Sequence, residues 1–294
     1  MIEIGILANP TKPRALTLAR TIGDRLAARA RVVYSDETAE RIGGDRPHLP
    51  LSQLRPEVLV AVGGDGTFLR AARSTPAPIL PINAGTVGVL AELHADSATV
   101  VEETVERLLA RRYSIEARLR LALRCPDAPL PDATNEVTVH DPSIGRMGIF
   151  EIGVDGRPVG RLRADGLLLA TPTGSTAYSL SAHGPIVDPV VEAILVSPLA
   201  PFRTPVRSVV LDPHSEITVR PVDTGRGALV QVDGQAETLL PDGSDLTVYR
   251  SARRTRLVRF GAPFIDRLRG KGILPWAELE GEGGGRGADV PPPA

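Results

Sequence analysis

The sequence predicts two kinds of fold in one chain, an α/β half followed by a mainly β half. Three observations carry this. From residue 2 to about residue 110, short apolar runs alternate with longer amphipathic ones, the order of βα units stacked into a parallel sheet. After Tyr113 the apolar period changes to two, the period of strands. The length, 294 residues, suits two cores on a scale of roughly 100–200 residues per domain.

Residues 2–7, 32–34, 58–62 and 79–82 are short β-branched and aliphatic runs, and each predicts a strand. Residues 15–28 and 100–109 place apolar side chains at spacings of three and four, so they predict helices packed on that sheet. Beyond Tyr113, Ile115, Ala117, Leu119, Leu121 and Leu123 fall on one face, with Glu116, Arg118, Arg120 and Arg124 on the other. This predicts one half-buried strand, apolar face inward. Further strands are expected at 150–154, 167–170, 209–211, 217–222, 229–232 and 246–249, separated by turns such as Asp155-Gly156 and Asp242-Gly243. Residues 281–294 are rich in Gly and Pro without apolar periodicity, which predicts a disordered tail. The expected division is therefore an α/β domain at 1–113, a mainly β domain at 114–262, a segment packing back on the fold at 263–280, and the tail.

Hydrophobic residues make up 42% and charged residues 23%, ordinary globular usage, so the body of the chain should fold. Aromatics are scarce at 3%, which leaves Val, Leu, Ile and Ala to fill the core. A formal charge of −1 gives no global attraction to nucleic acid or to an anionic membrane. Cys125 is the single cysteine and cannot close a disulfide within the chain, which fits a reducing compartment. The start, MIEIGILANP, has an acid where a signal peptide needs positive charge, and its apolar run is too short to span a bilayer. A cytoplasmic protein is expected.

Only two lysines occur, Lys12 and Lys271, against thirty-two arginines. A genomic bias toward Arg accounts for the skew, yet it has a chemical consequence. A P-loop needs Gly-Lys-Ser/Thr, and the one Gly-Lys pair, Gly270-Lys271, is followed by Gly272. Neither the Val-Ala-Ile-Lys strand nor the His-Arg-Asp loop of protein kinases is present, nor a Gly-x-Ser-x-Gly elbow. Phosphate chemistry here must use another device.

That device is suggested by residues 58–73, where an apolar strand runs into Gly63-Gly64-Asp65-Gly66-Thr67 and then into a helical pattern. Glycines let backbone amides approach an anion, and a helix N-terminus adds its dipole, so phosphate can be held without lysine. Asp65 in such a turn could accept the proton of an attacking hydroxyl or hold a divalent cation; it could equally be an ordinary helix N-cap. On the turn alone these stand level. In residues 165–189 a strand opens into Thr171, Thr173, Gly174, Ser175 and Thr176, followed by Tyr178. The loop suits phosphate or ribose, with a ring or hydroxyl for an adenosine, while Ser/Thr turns capping a short helix explain it as well. Asn135-Glu136 begins an apparent strand, and its carboxylate could accept from the vicinal hydroxyls of a ribose. The five histidines, His48, His94, His140, His183 and His214, show no metal-ligand spacing, so no zinc site is expected.

Taken together, GGDGTFL at 63–69, NAGTVGVL at 83–90, NEVTV at 135–139, DGLLLATPTGSTAYSLSAHGP at 165–185 and VDGQ at 232–235 resemble the NAD kinase family in order and spacing. The resemblance covers residues 2–260, and the TPTGSTAYSLSA run is its specific element, since lipid kinases of the diacylglycerol and sphingosine type share the GGDGT turn. It implies a Rossmann-like N-terminal domain, a β-sandwich-like C-terminal domain and a nucleotide cleft between them, in a homodimer or homotetramer. The implied activity is ATP-dependent phosphorylation of the adenosine 2′-hydroxyl of NAD, with Mg²⁺ carried by ATP. A lipid kinase or a non-catalytic NAD(P) sensor would be the alternatives. The implied roles give Asp65 as general base, Gly64 and Gly66 beside the phosphates, and Arg70 near them. Asn135 and Glu136 would hold a ribose. Arg146, Arg163 and Asp165 would line the cleft, Thr173, Thr176, Ala177, Tyr178, Ser179 and Ser181 would wrap the adenosine, and Gln235 would close the far side. The chain departs from the family pattern at Val89, His183 and Ser208.

Overall fold

A computed structural model of the chain describes residues 1–85, 90–126, 129–143, 145–202, 206–223, 225–269 and 273. Val89, the tail 281–294 and most of 270–280 lie outside the described residues.

The first half is built from β1 (Glu3–Ala8), α1 (Pro13–Ala27), β2 (Arg31–Ser35), α2 (Asp36–Ile42), β3 (His48–Leu49), β4 (Val58–Gly63), α3 (Asp65–Ser74), β5 (Ile79–Asn83), β6 (Leu93–His94) and α4 (Val100–Leu109). Its strands run parallel in the order β3-β2-β1-β4-β5, with β6 beside β5. The order doubles back between β1 and β4, which leaves a crevice beyond their C-terminal ends, the place where such sheets bind ligands. Both faces of the sheet are covered, so the central strands are apolar throughout. Val58, Val60 and Val62 pack with Ala19, Ile22 and Leu26 of α1, while Leu59 and Ala61 pack with Phe68 and Ala72 of α3.

The second half comprises β7 (Ser114–Arg118), β8 (Leu121–Arg124), β9 (Glu136–His140), β10 (Gly148–Val154), β11 (Arg157–Ala164), β12 (Gly166–Ala170), α5 (Tyr178–Ser181), β13 (Ile194–Leu199), β14 (Val209–Leu211), β15 (Ile217–Pro221), β16 (Ala228–Val232), β17 (Ala236–Leu240), β18 (Leu246–Arg250), β19 (Thr255–Arg259) and α6 (Phe264–Arg269). Two antiparallel sheets, β11-β10-β15-β18-β8 and β14-β13-β12-β9-β16-β17, face each other across one core. Phe150, Ile217, Val219 and Val248 from one meet Val137, Val139, Leu167 and Val230 from the other, a sandwich of alternating inward residues. The chain folds as expected into an α/β part and a mainly β part, and β19 and β7 carry it back to the first sheet beside β5.

The stretch expected as one strand with its apolar face inward divides in two. β8 behaves as expected, with Leu121 buried and Arg124 exposed. β7 is reversed: Ile115 is 42% exposed and Arg118 only 1%. The reason is electrostatic pairing across the sheet edge. Arg118 Nη2 lies 2.9 Å from Glu116 Oε1, Glu116 Oε2 is 2.9 Å from Nε of Arg259, and Arg259 Nη1 is 3.0 Å from Glu92. Arg120, also buried, donates to the carbonyls of Ala72 and Asp132 at 3.1 and 2.7 Å, fastening α3 to the second half. Among the described residues Arg118 Nε and Nη1 have no hydrogen-bond partner, and burial lowers its pKa to about 10. Because Glu116 keeps Arg259, Arg118→Met removes a poorly compensated buried charge without orphaning a carboxylate. Its melting temperature is expected to be equal to or a few degrees above that of the unmodified chain, by calorimetry, corresponding to about 0–2 kcal/mol.

Candidate nucleotide site at the glycine turn

β4 ends at Gly63, where a side chain would strike Thr67 Oγ1 at 2.2 Å, so only glycine lets the chain turn there into α3. The N-cap of α3 is Gly64 in extended conformation, and Asp65 is the first helical residue. Asp65 is therefore not the N-cap; its carboxylate stands in the first turn, half-buried, where the helix dipole favours an anion. Space around Gly66 is open, with no atom within 4 Å of where a Cβ would stand.

Residues far apart in sequence meet at this turn. Gln235 Nε2 donates to the carbonyl of Gly66 at 3.1 Å, and Arg73 reaches the carbonyl of Gln235 at 3.4 Å. Gln235 belongs to the hairpin turn between β16 and β17, where Asp233 (φ 51°) and Gly234 (φ 60°) take the left-handed pair that a tight hairpin needs. From that turn the Asp233 carboxylate accepts the backbone N–H groups of Thr134, Asn135 and Glu136 at 2.9, 2.7 and 3.1 Å. Next to it, Gly174 of the Thr-rich loop lies so close that a Cβ would sit 2.2 Å from the carbonyl of Asn135. Thr171 completes the seam, its N–H donating to the Asn135 carbonyl at 2.8 Å and its hydroxyl to the Thr134 carbonyl at 2.7 Å. The glycine turn, Asn135-Glu136 and the Thr-rich loop thus form one continuous hydrogen-bonded wall.

Two acids of this wall, Glu136 and Asp233, have their pKa values raised, in each case first by burial. Burial and then the neighbouring Asp233 charge push that of Glu136 up to about 8, against the hydrogen bond from the Tyr178 backbone N–H. Asn135 Oδ1, Glu136 Oε2 and Ser179 Oγ are buried polar atoms without a hydrogen-bond partner among the described residues. Such atoms typically cost about 1–3 kcal/mol each and cluster at functional sites. With its folded pKa raised, Glu136 binds its proton more tightly in the folded than in the unfolded chain, so stability falls as pH rises from about 4.5 to about 8. Glu136→Gln is expected to flatten that fall by up to about 1.4 kcal/mol per pH unit, read from denaturant melts at successive pH values.

The remaining predicted residues divide. Thr173 is buried and its carbonyl accepts the hydroxyl of Thr176 at 3.3 Å; Ala177 precedes α5, with Ser179 inside it. Hydroxyls of Thr171 and Ser175 do close turns within the loop, on Gly174, Pro172 and Val187. Tyr178, Ser181, Arg146 and Asp165 line a cleft of about 1190 Å³ that continues from the wall over the six-stranded sheet. Arg163 stands beside it with its guanidinium 4.8 Å from the Phe202 ring centre. Arg70 is engaged elsewhere, 2.6 Å from Glu37 of α2. His183 also lines the cleft at φ 58°, a left-handed conformation that glycine adopts more easily than histidine. Ser208 accepts the hydroxyl of Ser197 on β13 at 2.8 Å.

Sequence reasoning missed Asp233, although it lies in the VDGQ run, because Asp-Gly in a hairpin already explains itself as a turn. It also missed His140, Asp141 and Arg207 of the cleft; no motif spacing marks them.

Known proteins resemble both halves of the chain. The family model of the ATP-NAD kinase N-terminal domain matches residues 4–113, and that of the ATP-NAD kinase C-terminal domain matches 134–260. The NAD kinase of Thermococcus sibiricus is 38% identical over 267 residues, covering 88% of this chain and 94% of the relative. That of Gemmatimonas aurantiaca is 38% identical over 257 residues, 84% of each. Among solved structures, yeast NADH kinase complexed with NADH superposes with a TM-score of 0.82 at 26% identity, over 99% of this chain and 90% of that one. The NAD kinase of Archaeoglobus fulgidus in complex with ATP gives 0.73 at 27% identity, over 92% and 98%. The chain accordingly belongs to the NAD kinase family, phosphotransferases that act on an alcohol group.

Proposed function

We propose that the chain moves the terminal phosphoryl group of ATP to the adenosine 2′-hydroxyl of NAD, with Asp65 as the base. One observation supports this above the others: the hydrogen-bonded wall from Gly66 through Gln235 and Asp233 to Glu136 and Tyr178, which gives a phosphate turn and a ribose-binding acid one common crevice. Thr67 and Phe68 donate their N–H groups to the Gly64 carbonyl at 3.0 and 3.2 Å, and the amide of Gly66 ahead of them suits a phosphate oxygen. Asn135 Oδ1 and the Glu136 carboxyl suit ribose hydroxyls, and Tyr178 and Ser181 lead the adenosine into the cleft. In the transfer, Asp65 takes the proton of the 2′-hydroxyl as its oxygen bonds to phosphorus and ADP departs. Gly64, Gly66 and Gln235 fix the turn against that oxygen, while Thr173, Thr176, Ala177, Ser179, Arg146, Arg163 and Asp165 shape the nucleotide path.

A divalent cation, Mg²⁺ by the chemistry of ATP, fits as one carried in by the nucleotide. Among the described residues no three His, Cys, Asp or Glu side chains form a metal-binding group, and Mg²⁺ on phosphates takes most of its ligands from phosphate and water. The cation is assigned no side chain of this chain, and Asp65 keeps the part of the base. Carried in on the phosphates, Mg²⁺ would neutralise their charge. We assign residues 1–113 to the donor side and 114–262 to NAD; of the expected segment 263–280, residues 263–269 pack back through Leu268, which is 1% exposed. A homodimer or homotetramer is proposed on the exposed Val209 and Val210 of the edge strand β14, beside the cleft. A cytoplasmic setting fits a sequence with a single cysteine, Cys125. No helix among the described residues is long and apolar enough to cross a membrane.

The test mixes purified protein with NAD, ATP and Mg²⁺ and detects NADP with an NADP-specific dehydrogenase. NADP formation dependent on all three supports the reading. NAD binding without NADP would turn it into a sensor, and phosphorylation of diacylglycerol instead would turn it into a lipid kinase.

A further inference from the structure

The glycine turn carries no lysine in its own sequence, yet one lysine reaches it through space. Sheet order makes β1, β4 and β5 adjacent, so their C-terminal turns lie side by side at the crevice. Each delivers one feature: Lys12 after β1, Gly63 to Gly66 after β4, and Ala84-Gly85 after β5. A Cβ on Gly85 would stand 2.7 Å from Lys12 Nζ, and one on Gly64 would stand 3.9 Å away. The ammonium therefore sits between two glycine turns, in space that a Cβ on Gly85 would need and within van der Waals contact of where one on Gly64 would stand.

The loop that carries Lys12 is fixed in shape. Asn9 N–H donates to the Val62 carbonyl at 2.9 Å, tying the end of β1 to β4. Asn9 Oδ1 then accepts both the N–H and the hydroxyl of Thr11, at 3.0 and 2.9 Å, and Lys12 N–H donates to the Asn9 carbonyl at 3.3 Å. Lys12 is the N-cap of α1, with Pro13 following, but its side chain makes no cap bond. Across the gap, Asn83 holds the Gly85 turn by two hydrogen bonds of 3.0 Å. Among the described residues no carboxylate lies within ion-pair distance of Lys12, although most of the arginines around the molecule have one. A half-buried ammonium with three donors, held over open backbone at a ligand crevice and lacking an acidic partner, is built for an anion.

We propose that Lys12 binds the phosphoanhydride chain of the phosphoryl donor, the part a P-loop lysine plays in other folds. This rests on the NAD kinase reading. Lys12 approaches the turn on the β1 and β5 side, by Gly64 and Gly85, whereas Gln235 and the ribose-binding wall approach by Gly66. The two sides separate donor from acceptor.

The experiment compares the unmodified chain with Lys12→Met, each with ATP and with polyphosphate as donor in separate arms. NADP formation by the unmodified chain establishes the underlying reading on its own; its failure would strike that reading and not Lys12. Given activity, Lys12→Met is expected to raise the KM for the donor by about 10- to 100-fold, the value of one charge-assisted contact, with the KM for NAD within about twofold. An unchanged donor KM, or a rise confined to NAD, overturns the proposal. Amine acetylation of the unmodified chain followed by peptide mass spectrometry keeps the test open if the variant does not fold. Lys12 should be protected by ATP with Mg²⁺ and not by NAD, with Lys271, the only other lysine, as the internal reference. Protection by NAD alone, or none by ATP, would refute it.

Discussion

Asp65→Asn lowers turnover by at least about 10²-fold and leaves NAD affinity within about twofold. The substitution preserves size but removes the basic oxygen, and general-base help is typically worth about 10²–10⁴ in rate. Placement of Asp65 separates this from a stability effect. As the first residue of α3 behind an N-cap of glycine, its charge interacts favourably with the helix dipole, a contribution of about 0.3–1 kcal/mol. Loss of that much shifts the melting temperature by a few degrees and leaves the enzyme folded at assay temperature. The measurement is steady-state kinetics alongside equilibrium NAD binding: kcat and kcat/KM for NAD should fall together, the mark of an interaction made in the transition state. A variant with normal kcat and a slightly lower melting temperature would reduce Asp65 to a helix charge.

The glycine turn and the Thr-rich loop are legible in sequence because each is local: strand, bend and helix follow one another within about ten residues, and glycine marks the bend. What the sequence leaves hidden is set by sheet order. Lys12 is more than fifty residues from Gly64 and becomes its neighbour only because β1 pairs with β4. β11 and β13 escape notice for different reasons. The first is an arginine-rich edge strand exposed along most of its length, and the second is a buried apolar run ending in Ser197-Pro198-Leu199, which resembles a loop. The period-two face of β7 is legible, but its direction is not, because Arg259 and Glu92 supply charges to the inner side from 143 and 24 residues away, counted from Glu116.

Asp233 illustrates the same limit and carries the second large effect. Among the described residues its carboxylate is the sole acceptor for three consecutive N–H groups, those of Thr134, Asn135 and Glu136. Asp233→Ala would leave three half-buried donors without a partner and place alanine at φ 51°, so a loss of about 3–5 kcal/mol is expected by denaturant melts. The KM for NAD should rise at least about tenfold because the Asn135-Glu136 segment is no longer held. Asp233→Asn separates charge from scaffolding. Asn tolerates the left-handed turn, and its Oδ1 can still accept from Asn135 and Glu136, both of which use one carboxylate oxygen of Asp233. Its amide NH₂ must face the Thr134 N–H, so some stability is lost, while the negative charge disappears. That charge is the second cause, after burial, of the raised Glu136 pKa. In the unmodified chain NAD affinity should improve as pH rises through about 8, when Glu136 becomes the carboxylate that accepts from ribose hydroxyls. In Asp233→Asn that improvement should move to lower pH. An unmoved profile would mean that burial alone governs Glu136 and that Asp233 acts only as the anchor of the backbone behind it.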